Sequence, residues 1–147
     1  MKKLVLLVTV ILPFFSFSQN EKIKVTYGAE HELIPKVGDT IISNNPKSIK
    51  YQDGKNFIIE EYFENGKISK NSVFPLDDLK FKTITKSNEA GQITLIASYT
   101  NGIVNGWFKK FYEDGIIMEE GEYKMMKKIG PWKYYDEAGN LYKTEEN

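Results

Sequence analysis

Four carboxylates, Glu64, Glu89, Glu113 and Glu137, each stand two residues before a glycine, in the tripeptides ENG, EAG, EDG and EAG. Two carboxylates about 5 to 10 Å apart are the minimum equipment of a glycoside hydrolase. If each Glu takes the same place in successive two-stranded units, neighbours lie two strand spacings apart, about 9 to 10 Å. That suits an inverting pair and is too wide to share one calcium ion, whose ligands sit at about 2.4 Å. A Glu next to a turn glycine is also surrounded by water, which screens it. The four therefore read as solvated turn residues that keep the chain soluble rather than as a catalytic set. His31 is the sole imidazole and there is no Cys. A histidine metal site or a Ser-His-Asp triad would rest on that one residue, and no thiol nucleophile exists. Glu30 and Glu32 flank His31 and could orient its ring, yet a lone histidine in such a setting reads as a surface or strand-end residue. No G-x-S-x-G elbow, Gly-rich phosphate loop or H-E-x-x-H occurs. Neither an enzyme nor a cofactor or metal is expected.

Binding chemistry is better represented. Trp107, Phe108, Phe111, Tyr112, Trp132, Tyr134 and Tyr135 cluster with Lys109, Lys110, Lys127, Lys128 and Lys133. On a strand, period two puts Phe108 and Trp132 on one face, and Trp107, Phe111 and Tyr135 on the other unless a bulge intervenes. Apolar residues on both faces of a thin sheet leave some exposed, and an exposed aromatic strip is a binding surface. Packing between hairpins, with cover from the N-terminal segment, is the competing use. The lysines read as a solvated face or as a guide for an acidic partner or lipid headgroup. The expected binding set is Trp107, Lys109, Phe111, Trp132, Lys133 and Tyr135. All twenty basic side chains are Lys, which disfavours bidentate phosphate or carboxylate recognition, the province of Arg.

A repeat must position these residues. Gly66, Gly91, Gly115 and Gly139 are spaced by 25, 24 and 24 residues. Ile68, Ile93, Ile117 and Leu141 follow them by two, and Phe74, Tyr99 and Tyr123 by eight. Ile59, Ile84, Phe108 and Trp132 precede them by seven, and Tyr62, Phe111 and Tyr135 by four. Five positions in register over three or four copies define a repeat. Gly54 and Gly102 supply a half-step, and Ile93, Leu95, Ala97 and Tyr99 alternate with Gln92, Thr94, Ile96 and Ser98. Each copy is thus a β-hairpin, with N-G and D-G pairs providing the positive φ of tight turns. Side by side, the copies make an all-β antiparallel meander, an open, elongated single-layer sheet whose inner row is the set of apolar positions above. "VFPLDDLK" interrupts the array as a loop between Val73 and Lys80.

Within this pattern "YTNGIVNGWFKKFYEDG" and "YKMMKKIGPWKYYDEAGNLYK" resemble the MORN repeat, in the bacterial variant form G-x-W-x-x-Y-y-x-x-G. Gly130, Trp132, Tyr135 and Gly139 match it fully; Gly106, Phe108, Phe111 and Gly115 match with Phe in two aromatic slots. The resemblance is good over Tyr99 to Lys143, weaker over Asn56 to Ser98, and absent from Asn20 to about Lys50. It implies an open single-layer sheet of hairpins used as a scaffold or binding platform, and some bacterial relatives are labelled antitoxin. The last copy departs from the rest: Met125 and Met126 stand where the preceding copy has Asn101 and Gly102.

The N-terminal part lies outside this register. Lys2 and Lys3, the apolar run Leu4 to Phe15, and Ser16 and Ser18 have the form of a cleaved export signal over 1–18. The run is too short for the roughly 20 residues that span a bilayer. Residues 19–55 form a capping region with short strands at Lys22 to Tyr27, Thr40 to Ser43 and Ser48 to Tyr51, and 56–147 form the array. Removing the signal leaves eighteen Lys against twenty carboxylates, a balance that suggests neither nucleic acid nor an anionic membrane. The expected protein is periplasmic or secreted and binds another protein at the cell envelope, membrane contact being a weaker expectation. An antitoxin or immunity-type inhibitor is the alternative, and a carboxylate-dependent envelope polysaccharide hydrolase a third.

Overall fold

The structure is a computed structural model and describes residues 22–25, 39–44 and 47–147. The expected signal segment and His31 lie outside the described residues. What is described is one eleven-stranded sheet in which spatial order follows chain order. Its strands are β1 (Lys22–Val25), β2 (Asp39–Asn44), β3 (Lys47–Asp53), β4 (Asn56–Tyr62), β5 (Ile68–Pro75) and β6 (Phe81–Ser87), followed by β7 (Ile93–Thr100), β8 (Ile103–Phe111), β9 (Ile117–Lys124), β10 (Lys127–Tyr135) and β11 (Leu141–Glu146). Strands β2 to β11 form an antiparallel meander, and β1 joins β2 in parallel. The N-terminal strands thus extend the sheet by direct pairing, and the 55/56 boundary falls inside the β3–β4 turn. The loop after β5 is shorter than the sequence suggests, Leu76 to Lys80, because pairing with β4 continues through Pro75.

The four repeat glycines close one end of the sheet with a single turn geometry. Gly66, Gly91, Gly115 and Gly139 have φ between 81° and 90°, where a Cβ is strained. In each turn the Gly amide bonds back three residues, to the carbonyl of Phe63, Asn88, Tyr112 or Asp136, and that residue's amide donates to the carbonyl of the residue just before the next strand. Short polar side chains complete the loops. Asp136 Oδ1 accepts from the amides of Ala138 and Asn140 at 3.0 and 2.8 Å, and the Asn140 amide, foremost, holds its carboxyl below the ordinary range.

Just past each of these turns the register shifts by one residue, opposite Glu61/Tyr62, Lys86/Ser87, Lys110/Phe111 and Tyr134/Tyr135. The consequence corrects the single inner row. A bulge reverses the alternation, so Ile68 pairs with Tyr62 on one face while Phe74 pairs with Phe57 on the other. The residues seven before and eight after each Gly line one face, here the core face. Those four before and two after line the opposite face.

Along the core face one cross-strand line runs Ile41, Lys50, Ile59, Ser72, Ile84, Ala97, Phe108, Gly121, each residue directly paired with the next. From β4 onward large and small residues alternate. As the large member grows from Ile84 to Phe108 to Trp132, the small one shrinks from Ser72 to Ala97 to Gly121. The last exchange is steric: a Cβ on Gly121 would lie 2.5 Å from the Trp132 ring. The vacated space lets Trp132 sink to 0% exposure, with Phe108 tilted against it at 5.7 Å and Tyr123 edge-on at 4.9 Å between ring centres. Lys128 Nζ caps the ring at 3.9 Å, a cation–π contact, and Trp132 Nε1 donates to the Glu122 carbonyl at 3.1 Å. Burying this ring removes a large apolar surface from water and supplies much of the cohesion of the last copy.

Gly121→Ala should therefore destabilise the chain by about 2 to 3 kcal/mol, the cost of overpacking a rigid site. Adding Trp132→Ile, which restores the flanking size found beside Ala97, should recover part of that loss; chemical denaturation of the two variants checks both.

Candidate binding site: a groove between two bulges

The motif G-x-W acquires a physical meaning in β8 and β10. Pairing of β7 with β8 passes from Tyr99↔Val104 to Ala97↔Phe108, leaving Asn105, Gly106 and Trp107 opposite Ser98 alone. Gly106 has φ +106°, and a Cβ there would meet Ser98 Cβ at 3.1 Å, so the bulge selects glycine twice over. Pairing of β9 with β10 does the same from Glu122↔Ile129 to Glu120↔Lys133, with Gly130, Pro131 and Trp132 left over. Both bulges push the residue after the glycine, Trp107 or Pro131, away from the core face. No such irregularity interrupts β3–β4 pairing. The bulges therefore confine the unusual surface to the last two copies.

Between them lies an open groove of about 390 Å³ on the face opposite the core, lined by Trp107 and Lys109 of β8, Glu120 and Glu122 of β9, and Ile129, Pro131 and Lys133 of β10. Trp107 is 40% exposed and stands directly across from Glu122, which Ile129 flanks on the other side. The groove thus has an aromatic wall, an aliphatic wall and a carboxylate between them. Glu122 is exposed and its carboxylate takes no hydrogen bond or ion pair from a described residue.

Glu120, two residues earlier, is fully engaged. Tyr135 Oη donates to its Oε1 at 2.8 Å and Lys109 Nζ lies 3.0 Å from its Oε2. These contacts, the Tyr135 hydrogen bond foremost and then Lys109, hold its carboxyl below the ordinary range. The same bond raises the Tyr135 hydroxyl. A related clasp sits at the other end of this face, where Tyr51 and Tyr62 both donate to Glu60; burial, then Glu60, pushes the Tyr51 hydroxyl up to about 12.

The expected binding residues divide accordingly. Trp107, Lys109, Phe111, Lys133 and Tyr135 share the groove face, with Trp107 and Lys133 exposed and Phe111 and Tyr135 half-buried. Trp132 does not belong with them: it points to the core face and is closed off by Phe108, Tyr123 and Lys128. Glu120, Glu122, Ile129 and Pro131 complete the groove without having been singled out. Their signal is the alternation E-E-G-E around Gly121, which places two Glu on one face and the small residue on the other. The turn residues Glu64, Glu89, Glu113 and Glu137 are exposed at the sheet end, away from the groove. Among the described residues no group of three His, Asp or Glu is placed to hold a metal ion. Compared with known families, curated proteins and solved structures, the chain matches none.

A carboxylate with a depressed folded pKa stabilises the fold above its unfolded value, 4.5 here, and that contribution is lost as pH falls through the lower folded value. Glu120→Gln should therefore cost on the order of 1 kcal/mol at neutral pH, with the Tm gap to the native chain narrowing as the pH is taken below 4.5; thermal melts across that range check it.

Proposed function

We propose that this protein is a binding module of the MORN-like kind, acting after export at the cell envelope, and that its groove face docks another protein. The observation that carries the reading is Trp107, a large aromatic side chain held out of the core by a glycine-dependent bulge and 40% exposed beside a groove. Nothing in the packing of β8 requires an indole there, because Phe108 already fills the core side. Aromatic residues in such settings supply most of the energy of protein contacts. Glu122 offers an unpaired carboxylate one strand away, suited to a basic side chain that also lies over the Trp107 ring. Lys109 and Glu120, already bonded to each other, hold the groove floor rigid and need not reorganise on docking. The partner surface that fits is an apolar ridge carrying a Lys or Arg.

The test compares capture from envelope extracts by the native chain, Trp107→Ala and Glu122→Gln. Since Trp107 is partly in water, its loss should cost stability about 1 kcal/mol, against about 3 to 5 kcal/mol for the buried Trp132. A protein recovered by the native chain, lost with Trp107→Ala and weakened with Glu122→Gln, supports the reading. Equal recovery by all three removes the groove as the contact surface.

A further inference from the structure

The β9–β10 turn contradicts its own backbone. Met125 and Met126 form its two-residue loop with φ of +50° and +69°, a conformation in which a Cβ meets steric penalty. The corresponding β7–β8 turn has the same geometry in Asn101 and Gly102, at +52° and +81°, residues for which it is ordinary. The methionines are nevertheless held there. Asn105 Oδ1 accepts from the Met125 amide at 3.0 Å, and the Val104 carbonyl accepts from the Met126 amide at 3.1 Å.

Their side chains are not used by the fold. Met125 and Met126 are 61% and 66% exposed, so the backbone penalty is carried with no apolar burial in return. Lys124 and Lys127 bracket the pair, both exposed and neither in an ion pair with a described residue. No carboxylate occupies this turn or the adjacent Asn101–Gly102 turn. The opposite end of the sheet differs: the four loops closed by Gly66, Gly91, Gly115 and Gly139 carry Glu64, Glu89, Glu113, Asp114, Asp136 and Glu137, with Lys67 among them and Lys47 nearby over the Tyr62 ring. The β3–β4 turn and the β5–β6 loop share the Met125–Met126 end and carry Asp53, Asp77 and Asp78 beside Lys55 and Lys80, so the basic collar is local to the apolar tip, while the other end carries the acidic fringe.

We propose that the Met125–Met126 turn is a membrane-contact tip for an anionic lipid bilayer. The two thioethers enter the headgroup and upper acyl region, Lys124 and Lys127 meet lipid phosphates, and the acidic fringe is repelled outward and orients the sheet. The size of the tip favours lipid over protein. Two side chains on a convex turn offer far less than the roughly 800 Å² per partner that a stable protein interface uses, whereas a bilayer accepts a flexible apolar side chain without shape matching. The tip is separate from the groove, which lies on the sheet face, so either site can fail without the other.

The test floats the chain, isolated from an exporting host with its N terminus read by mass spectrometry, with vesicles of phosphatidylcholine alone or mixed with phosphatidylglycerol. The native chain should partition about tenfold more strongly onto the anionic vesicles. Met125→Asn with Met126→Gly should abolish the partition while raising Tm by several degrees, which shows that the sheet is intact. Lys124→Gln with Lys127→Gln should remove only the preference for anionic lipid. An unbound native chain, equal flotation of the Met double variant, a lower Tm in that variant, or photo-crosslinking of the turn to a protein instead of lipid would each overturn the proposal.

Discussion

The Trp132 ring lies against the backbone of Gly121, and the geometry of the last two copies depends on that contact. A β-sheet of one layer has no second sheet or helix to bury its apolar residues against. It must make a core from its own side chains, by laying them over neighbouring strands. The line from Ile59 to Trp132 does this by alternating size, so that every large side chain has a small one beside it to cover. At Gly121 the principle reaches its limit: the covered residue has no side chain at all, and the covering one is the largest available. Close packing of this kind is sensitive to a single methyl group.

Because alternation ties the two faces together, the core contact also sets the groove. Gly121 and Tyr123 face the core, and Glu120 and Glu122 therefore face the other way from the same strand. The Trp132 indole donates to the Glu122 carbonyl, so the strand that displays the unpaired carboxylate is fastened from behind. Lys109 and Tyr135 reach Glu120 from the strands on either side, spanning β8 to β10 on the groove face much as the aromatic cluster spans them on the core face. Ion pairs at such half-exposed positions add little net stability. Their effect here is to fix positions.

Much of this was legible in the residue pattern. The hairpin period, the turn glycines, the three N-terminal strands and the separation of Phe108 and Trp132 from Trp107, Phe111 and Tyr135 all follow from spacing and strand alternation. The bulges did not follow. Ile68 and Phe74 are six apart and count as one face by period two, but an extra residue in the pairing divides them, and no residue type marks that position across the copies. Gly106 and Gly130 were visible as motif members, though not as the residues that lift Trp107 and Pro131 out of line. The burial of Trp132 depended on Gly121, a position whose series Ser72, Ala97, Gly121 is periodic but too polar and too small to register in a search for apolar rows.

Every strand here touches only the strands before and after it. Among the described residues cohesion is therefore a chain of nearest-neighbour interfaces, as in other repeat proteins, and no contact between distant strands locks them together. Tension applied at the two ends would run across the ladder rather than along it, opening hydrogen bonds a few at a time. Such a sheet peels from an edge instead of shearing as a block: a strip that yields gradually under load and re-zips when the load is released.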